Sequence, residues 1–280
     1  MMLECGDRLL DLTLPRVMGI LNITPDSFSD GGVFLSPDAA LRRAERMIED
    51  GADIIDVGGE STRPGAEAVS ADEERRRVVP VIEAIVQRFH SIVSVDTSKP
   101  EIMRAAADAG AGMINDVRAL QAEGALDAAR NTGLPVCLMH MQGQPRSMQE
   151  NPRYDDVVED VRLFLEQRLS ACVAAGIGRN RLLIDPGFGF GKTLAHNLQL
   201  LSGLDRLIEL GAPVVVGLSR KSMLGAITGR GVGDRLAAGL GAAMLAAQRG
   251  ASVLRVHDVA ETVDMLGLLE AVASQDRMRV

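Results

Sequence analysis

Short, fully apolar runs alternate along the chain with longer segments whose apolar residues have helical spacing. Apolar strands that alternate with helices indicate a parallel sheet covered on both faces. Eight such units in 280 residues predict an α/β fold, the (β/α)₈ TIM barrel, which typically takes about 250 residues. We therefore expect a single domain over residues 1–280. The eight apolar runs are residues 17–21, 54–57, 92–95, 113–114, 136–139, 182–184, 214–216 and 253–256.

The segments between the runs predict the rest of the architecture. Residues 9–14 alternate apolar and polar side chains before Pro15, so we expect residues 1–15 to form a strand or hairpin that closes the barrel bottom. Residues 22–32 and 58–66 are long, irregular βα loops, which are more often functional lids than surface insertions. Helices are predicted over residues 37–49, 72–89, 100–109, 154–175, 236–248 and 259–272.

Composition and charge exclude several classes of partner. The chain is 46% hydrophobic but 2% aromatic, with no Trp, which suits the aliphatic interior of a barrel. A net charge of −8 argues against nucleic acid or an anionic membrane as the main partner. Cys5, Cys137 and Cys172 show no paired spacing, and the charged N-terminus lacks an apolar signal core. We therefore expect a cytoplasmic protein in which local cations capture any anionic substrate.

Polar side chains collect where the predicted strands end, which is where barrel enzymes carry their chemistry. Six such groups at one end of a barrel would cost several kcal/mol each if buried without a ligand or network. Acceptors suit a flat heterocycle with N–H donors, and cations suit a phosphate or diphosphate. The acceptors are Asp96, Asn115 and Asp185, and the cations are Lys221, Arg255 and His257.

Three further segments have the composition of ligand-binding loops. Residues 185–193 look like a phosphate-binding P-loop, but Pro186 stands where that motif needs glycine. We favour close backbone approach to a flat ligand there. Residues 219–222 open a helix whose free N–H groups favour an anion. Asn22, with Asp26 and Asp30, offers oxygen ligands that suit Mg²⁺, and no His/Cys spacing suggests zinc.

Eight motifs in order along the chain closely resemble the dihydropteroate synthase family of bacterial folate synthesis. The resemblance implies condensation of 6-hydroxymethyl-7,8-dihydropterin diphosphate with 4-aminobenzoate, giving 7,8-dihydropteroate and diphosphate. It also implies Mg²⁺, a homodimer and competition by sulfonamides for the 4-aminobenzoate site. The motifs are residues 17–32, 56–65, 94–97, 114–117, 138–141, 185–192, 217–222 and 255–258.

The resemblance also assigns roles to individual residues. Asp96, Asn115, Met139, Asp185, Phe190, Gly217, Lys221 and Arg255 would form the pterin site. Asn22, Arg63, Arg255 and His257 would hold the diphosphate, with Asn22 also binding the metal. Phe28, Thr62, Arg63, Pro64, Phe190, Ser219, Lys221 and Ser222 would bind 4-aminobenzoate. The groups expected to act in catalysis are Asp30, Asp96, Lys221 and Arg255.

Three other functions share part of this pattern of residues. A methyltransferase that uses methyltetrahydrofolate shares the acceptor side, but it has no need of the diphosphate cations Arg63 and His257. A non-catalytic pterin-binding relative would not need an intact set of loop and cation residues. A phosphate-sugar barrel enzyme explains neither Asp96 nor Asn115. Turnover of dihydropterin diphosphate with 4-aminobenzoate separates these possibilities.

Overall fold

A computed structural model of the chain describes residues 1–24, 37–61 and 65–277. Eight parallel strands form one sheet in the order β8-β7-β6-β5-β4-β3-β10-β9. A parallel bridge between Ile184 and Val214 joins the two ends, so the sheet is a nearly closed barrel, as predicted. Its strands are β3 (Arg16–Asn22), β4 (Ile54–Gly58), β5 (Ile92–Asp96), β6 (Met113–Asp116), β7 (Val136–Met139), β8 (Leu182–Asp185), β9 (Val215–Val216) and β10 (Val253–Val256).

Helices follow the strands and cover the outside of the barrel. They are α1 (Pro37–Glu49), α2 (Ala71–Phe89), α3 (Pro100–Asp108), α4 (Ala125–Thr132), α5 (Val157–Ala174), α6 (Leu194–Ser202), α7 (Asp205–Ile208), α8 (Ser222–Thr228), α9 (Leu236–Gln248) and α10 (Val259–Arg277). The predicted start of α5 at residue 154 was wrong. The Asp156 side chain accepts from the backbone N–H groups of Val158 and Glu159, so the helix begins at Val157. The sequence analysis missed α4, α6 and α7, whose four to nine residues are too few for a clear helical period.

The first two strands form an antiparallel pair below the barrel. In this hairpin β1 (Met2–Cys5) pairs with β2 (Arg8–Asp11). Leu3, Cys5 and Leu10 are buried against side chains from the first half of the barrel strands, Ile54 and Met113 among them. The hairpin therefore covers the N-terminal end of the barrel and leaves the carboxyl ends of the strands open.

Alternation along each strand separates two apolar layers. On β4, Ile55 and Val57 face the helices and belong to the large outer core, whereas Ile54 lies in the interior cluster. Side chains two apart share a face of a strand, so Asp56 follows Ile54 into the barrel. The interior is thus apolar at the bottom and becomes polar toward the mouth.

In the part of the chain that the structure describes, no helix is both long and apolar enough to cross a membrane.

Candidate active site

The last inward-facing positions of the strands bring the predicted acceptor side chains together. Asp96 on β5 pairs in register with Asn115 on β6. Met139 on β7 pairs with Asp185 on β8. Asn115, Met139 and Asp185 are buried, so polar groups and one thioether share the wall of a single concave mouth. The sequence interpretation placed these residues at strand ends, and the structure has all four of them there.

Arg255 crosses the mouth to the acceptor side. It leaves β10, and its Nε donates to Asp56 Oδ2 at 2.6 Å while its Nη2 donates to Asp96 Oδ2 at 2.8 Å. Burial opposes the charge on the guanidinium, but the two carboxylates raise its pKa. The expectation of separate acceptor and cationic sides therefore needs correction. In this structure Arg255 is paired with two carboxylates through its Nε and Nη2, and within the described residues no hydrogen bond from its Nη1 is found.

Burial also raises the pKa values of two carboxylates at the mouth. It raises the pKa of Asp96 to about 7, against the opposing effect of Arg255 and with the help of nearby Asp56. It raises the pKa of Asp185 as well, and Lys221 opposes that shift. A buried carboxylate with an elevated pKa gains from any ligand that offers N–H donors, since such donors favour the ionised form.

Asp56 is a site residue that the sequence analysis did not assign. It is fully buried, and its Oδ2 accepts from Asn115 Nδ2 at 3.2 Å in addition to Arg255. The signal was present in the sequence, because a carboxylate interrupts the apolar run Ile54-Ile-Asp-Val57 on an inward-facing position. A charge in a fully buried strand needs partners, and here both partners are ligand-site residues.

The glycine-rich loop after β8 packs onto the end of β7. Gly187 has φ +67°, and a Cβ there would lie 1.8 Å from the His140 carbonyl oxygen. Its backbone N–H donates to Asp185 Oδ1 at 2.7 Å, which leaves the other carboxylate oxygen of Asp185 for a ligand. The loop thus aims Asp185 and brings backbone close to the mouth, in the manner expected for a flat ligand.

Lys192 folds back into this loop and is 3% exposed. Its Nζ lies 2.8 Å from His140 Nδ1 and donates to the carbonyls of Gly187 at 2.9 Å and Phe190 at 3.1 Å. Burial lowers the pKa of Lys192 well below its usual range and lowers the pKa of His140 to about 2. A lysine used in this way holds the loop together and is not presented to a phosphate, unlike the lysine of a P-loop.

Lys221 lies over this loop from the other side. Its ammonium donates to the Phe188 carbonyl and stands 4.6 Å from the centre of the Phe190 ring. Burial lowers the pKa of Lys221 to about 8, with Asp185 opposing that shift. Lys221 is also the N-cap residue of α8, and Ser222 is the first residue of that helix and is exposed. Lys221 and Phe190, both assigned by the resemblance to the pterin and 4-aminobenzoate sites, are therefore in contact.

His257 is not the cation that the sequence suggested. Burial, with Arg220 and Arg255 nearby, lowers the pKa of His257 to about 3, so the ring is neutral at pH 7. Its Nδ1 lies 3.1 Å from Ser219 Oγ. Gly217 lies beside them, where a Cβ would be 3.8 Å from the Cβ of Arg255. The residues that follow β9 and β10 thus form one polar wall.

Asn22 ends β3 next to the acceptor wall. A Cβ built on Gly58 would lie 3.5 Å from Asn22 Oδ1 and 3.7 Å from Asp96 Oδ2, so the two oxygens flank a backbone without a side chain. Among the described residues, no three His, Cys, Asp or Glu side chains converge as a metal cage. The side-chain oxygen of Asn22 suits Mg²⁺, which usually keeps several waters and binds substrate phosphates.

Five predicted site residues lie outside the described residues. They are Phe28, Asp30, Thr62, Arg63 and Pro64. Asp26, suggested beside Asn22 for the metal, also lies there. The roles given to these six stay predictions.

A nearly closed barrel with polar and charged side chains at the carboxyl ends of its strands is the architecture of TIM-barrel enzymes. A family model with the description pterin binding enzyme matches residues 18–257 of the chain. The chain therefore belongs to this family. It is 54% identical over 274 residues to the dihydropteroate synthase of Haemophilus influenzae, covering 98% of this chain and 100% of that protein. It is 55% identical over 265 residues to the dihydropteroate synthase of Escherichia coli K12, covering 95% and 94% of the two chains.

Solved structures of dihydropteroate synthases have the same fold as this chain. The Yersinia pestis dihydropteroate synthase in a sulfonamide drug complex has a TM-score of 0.95 and 54% identity, covering 98% of this chain and 100% of that one. The Xanthomonas albilineans enzyme with 7,8-dihydropteroate has a TM-score of 0.89 and 54% identity, covering 98% and 99%. The same enzyme with 4-aminobenzoic acid has a TM-score of 0.92 and 57% identity, covering 97% and 98%. The activity is that of a dihydropteroate synthase, a transferase of folate biosynthesis that acts on small molecules.

Proposed function

We propose that the barrel mouth joins 6-hydroxymethyl-7,8-dihydropterin diphosphate to 4-aminobenzoate through the residue roles described below. The observation that carries these roles is the Arg255 network. One guanidinium, hydrogen-bonded to Asp56 and Asp96, lies between buried acceptors that suit the pterin and an open side that suits the diphosphate. The reaction needs this arrangement, because the leaving anion departs from a carbon attached to the heterocycle.

The pterin binds against the acceptor wall. One carboxylate oxygen of Asp185 accepts from the Gly187 N–H, so the second oxygen accepts from the N–H edge of the ring. Asn115 and Asp96 accept from the remaining donors, and Lys221 donates to the carbonyl. Met139 and Phe190 pack around the ring. A site built to pair with N–H groups strongly rejects analogues that lack them, since its buried acceptors are then left unpaired.

Diphosphate departure is the charge-separating step, and cations at the mouth stabilise it. Arg255 presents its Nη1 to the leaving oxygens, and Arg63 is proposed as the second guanidinium. His257 serves as a neutral hydrogen-bond donor whose pKa rises when an anion binds beside it. Asn22 would hold Mg²⁺ together with the diphosphate, and the metal would supply charge neutralisation there. Asp96, and by proposal Asp30, stabilise the positive charge that develops on the pterin-bound carbon.

The amine of 4-aminobenzoate then forms the new C–N bond and releases a proton to solvent. An arylamine is an adequate nucleophile while neutral, so the site needs no strong general base. Phe190, Ser219, Lys221 and Ser222 line the described part of its pocket, and Phe28, Thr62, Arg63 and Pro64 are proposed to complete it. The exposed Ser222 at the start of α8 is proposed to receive the carboxylate.

A coupled assay tests these roles. Purified protein, dihydropterin diphosphate, Mg²⁺ and 4-aminobenzoate should give dihydropteroate, and chelation of the metal should remove most of the rate. Asp185→Asn keeps the bond to Gly187 but turns an NH₂ toward the pterin donors. The lost charge-assisted hydrogen bond and the donor left facing a donor, about 3 kcal/mol together, predict about a 100-fold fall in kcat/KM.

The matched control is Asp127→Asn on α4, an exposed aspartate that pairs only with its neighbour Arg130. It should keep the wild-type rate. Turnover that is indifferent to chelation would contradict the metal proposal, and an unimpaired Asp185→Asn variant would contradict the pterin role. Absence of product with the wild-type protein would remove the basis of both.

We further propose a cytoplasmic homodimer of single-domain subunits. Among the residues described, Ile227, Val232, Leu236, Leu245, Leu268 and Val272 expose large apolar side chains on or beside α8, α9 and α10. Met244 and Val263 pack against the core instead and belong to the barrel wall. Exposed apolar side chains on neighbouring helices support an interface there. Cys5, Cys137 and Cys172 are free and buried, as suits a reducing compartment.

A further inference from the structure

Asp56 touches two ligand-site residues with a single oxygen atom. Its Oδ2 accepts from Arg255 Nε at 2.6 Å and from Asn115 Nδ2 at 3.2 Å. The side chain is fully buried one layer below the mouth, two positions before the end of β4. It therefore lies too deep to meet a substrate directly, and any effect on the reaction must pass through its partners.

The bond to Asn115 decides which end of that amide the ligand meets. A carboxylate only accepts hydrogen bonds, so Asn115 must turn its NH₂ toward Asp56. Its Oδ1 makes no hydrogen bond with the described part of the chain and is left for the mouth. Without Asp56, the amide could rotate by half a turn and offer a donor, which a pterin N–H group would oppose.

The bond to Arg255 also determines which hydrogen-bonding group faces the ligand. Asp56 takes Nε and Asp96 takes Nη2, so one edge of the guanidinium is used within the protein. Among the described residues the Nη1 group has no hydrogen-bond partner, so it remains for an anion. One buried carboxylate thus sets an acceptor on the pterin side and a donor on the diphosphate side.

We propose that Asp56 is a positioning residue that fixes the hydrogen-bond polarity of the site through Asn115 and Arg255. The inference rests on the proposed function and adds a specificity determinant to it. Asp56 makes the site select a pterin that donates N–H groups. The Asn115 amide alone could present either its oxygen or its NH₂ to the ligand.

Removal of the shared acceptor tests the proposal. Asp56→Ala takes away the oxygen that accepts from both Arg255 and Asn115, which allows the Asn115 amide to turn its NH₂ to the mouth. We expect the KM for dihydropterin diphosphate to rise about tenfold or more, with the KM for 4-aminobenzoate changed less.

The conservative variant Asp56→Asn restores the pattern. Its amide oxygen can accept from both Arg255 and Asn115 at the place of Oδ2, so the Asn115 amide again turns its NH₂ inward. We expect its KM for the pterin substrate to lie within about threefold of wild type, because the acceptor, and not the negative charge, sets the orientation of Asn115.

Ser94→Ala is the matched control. Ser94 on β5 pairs in register with Asp56, is fully buried, and its hydroxyl has no partner in the described part of the chain. It should leave the KM for the pterin substrate unchanged. Thermal unfolding of every variant is measured alongside.

Two results would overturn the inference while the wild type remains active. The first is an Asp56→Ala variant with an unchanged pterin KM. The second is an Asp56→Asn variant whose pterin KM is no better than that of Asp56→Ala. A purely structural Asp56 would lower the unfolding temperature without a change in pterin KM that Asp56→Asn reverses. If instead the wild type makes no dihydropteroate, the proposed function fails, which is a separate outcome.

Discussion

The charge states of individual site residues depend on burial as much as on residue type. Lys221, Asp96 and His257 have pKa values of about 8, about 7 and about 3, and desolvation is the largest cause in each case. The values for Asp96 and Lys221 lie at or just above neutral pH, so protonation of the site should vary across the physiological range. The third makes His257 a neutral group where the sequence alone suggested a charge.

The pH dependence of turnover tests this. We expect kcat/KM for the pterin substrate to fall below about pH 7, as Asp96 takes up a proton, and above about pH 8, as Lys221 loses one. Lys221→Arg should be slower overall, but its alkaline limb should disappear below pH 10 because arginine stays protonated. Its acid limb should remain in place. An alkaline limb that keeps its wild-type position in Lys221→Arg would show that another group titrates there.

At the level of elements, the glycine loop between β8 and α6 depends on close backbone contact. Gly187 and Gly191 have positive φ angles, and side chains at either position would collide with backbone atoms at the end of β7. Lys192, Tyr154 and Asn197 then tie the loop carbonyls and amides into the surrounding elements. The loop is therefore a packed part of the barrel wall that presents Asp185, and its shape is set by contacts with β7.

Gly187→Ala should destabilise the protein strongly. An alanine at φ +67° with its Cβ 1.8 Å from the His140 carbonyl oxygen must move the backbone of β7 or of the loop. We expect a loss of about 3 kcal/mol or more in the free energy of unfolding. The control is Gly211→Ala, which has φ +69° but no atom within 4 Å of the added Cβ. It should lose only about 1 kcal/mol, from the backbone conformation alone. Equal losses in denaturant unfolding would refute the steric argument.

For the whole molecule, the barrel has a closed and an open end. The β1–β2 hairpin covers the bottom, and the strand ends form the site at the top. The apolar side chains left uncovered on α8, α9 and α10 lie on the flank of the barrel, so an interface there leaves the mouth accessible. Assembly and catalysis are then separable in experiments.

Leu268→Arg should dissociate the proposed dimer. Leu268 is 60% exposed on α10, and a charge buried at an interface without a partner costs several kcal/mol. The control is Leu9→Arg on the hairpin, where the leucine is 63% exposed. Sedimentation equilibrium at micromolar concentration should give a dimer for wild type and Leu9→Arg, and a monomer for Leu268→Arg. A wild-type monomer would contradict the proposal, as would a Leu268→Arg dimer.

The sequence by itself determined the barrel and most of the ring of site residues. Apolar runs of strand length separated by helices allow few folds, and the last inward residue of each parallel strand must face the mouth. Asp96, Asn115 and Asp185 were therefore predictable from local pattern alone. The short helices α4, α6 and α7 were not, because four to nine residues held by tertiary packing show little periodicity of their own.

Only the tertiary structure decided which partners these groups have. Arg255 and Asp56 are 199 residues apart in the chain, and Lys192 and His140 are 52 apart. Such pairs form because closing a barrel brings distant strands side by side, and nothing in the local sequence encodes the distance or the desolvation that results. That closure makes His257 neutral, turns Lys192 inward and gives Asp56 its place beneath the site.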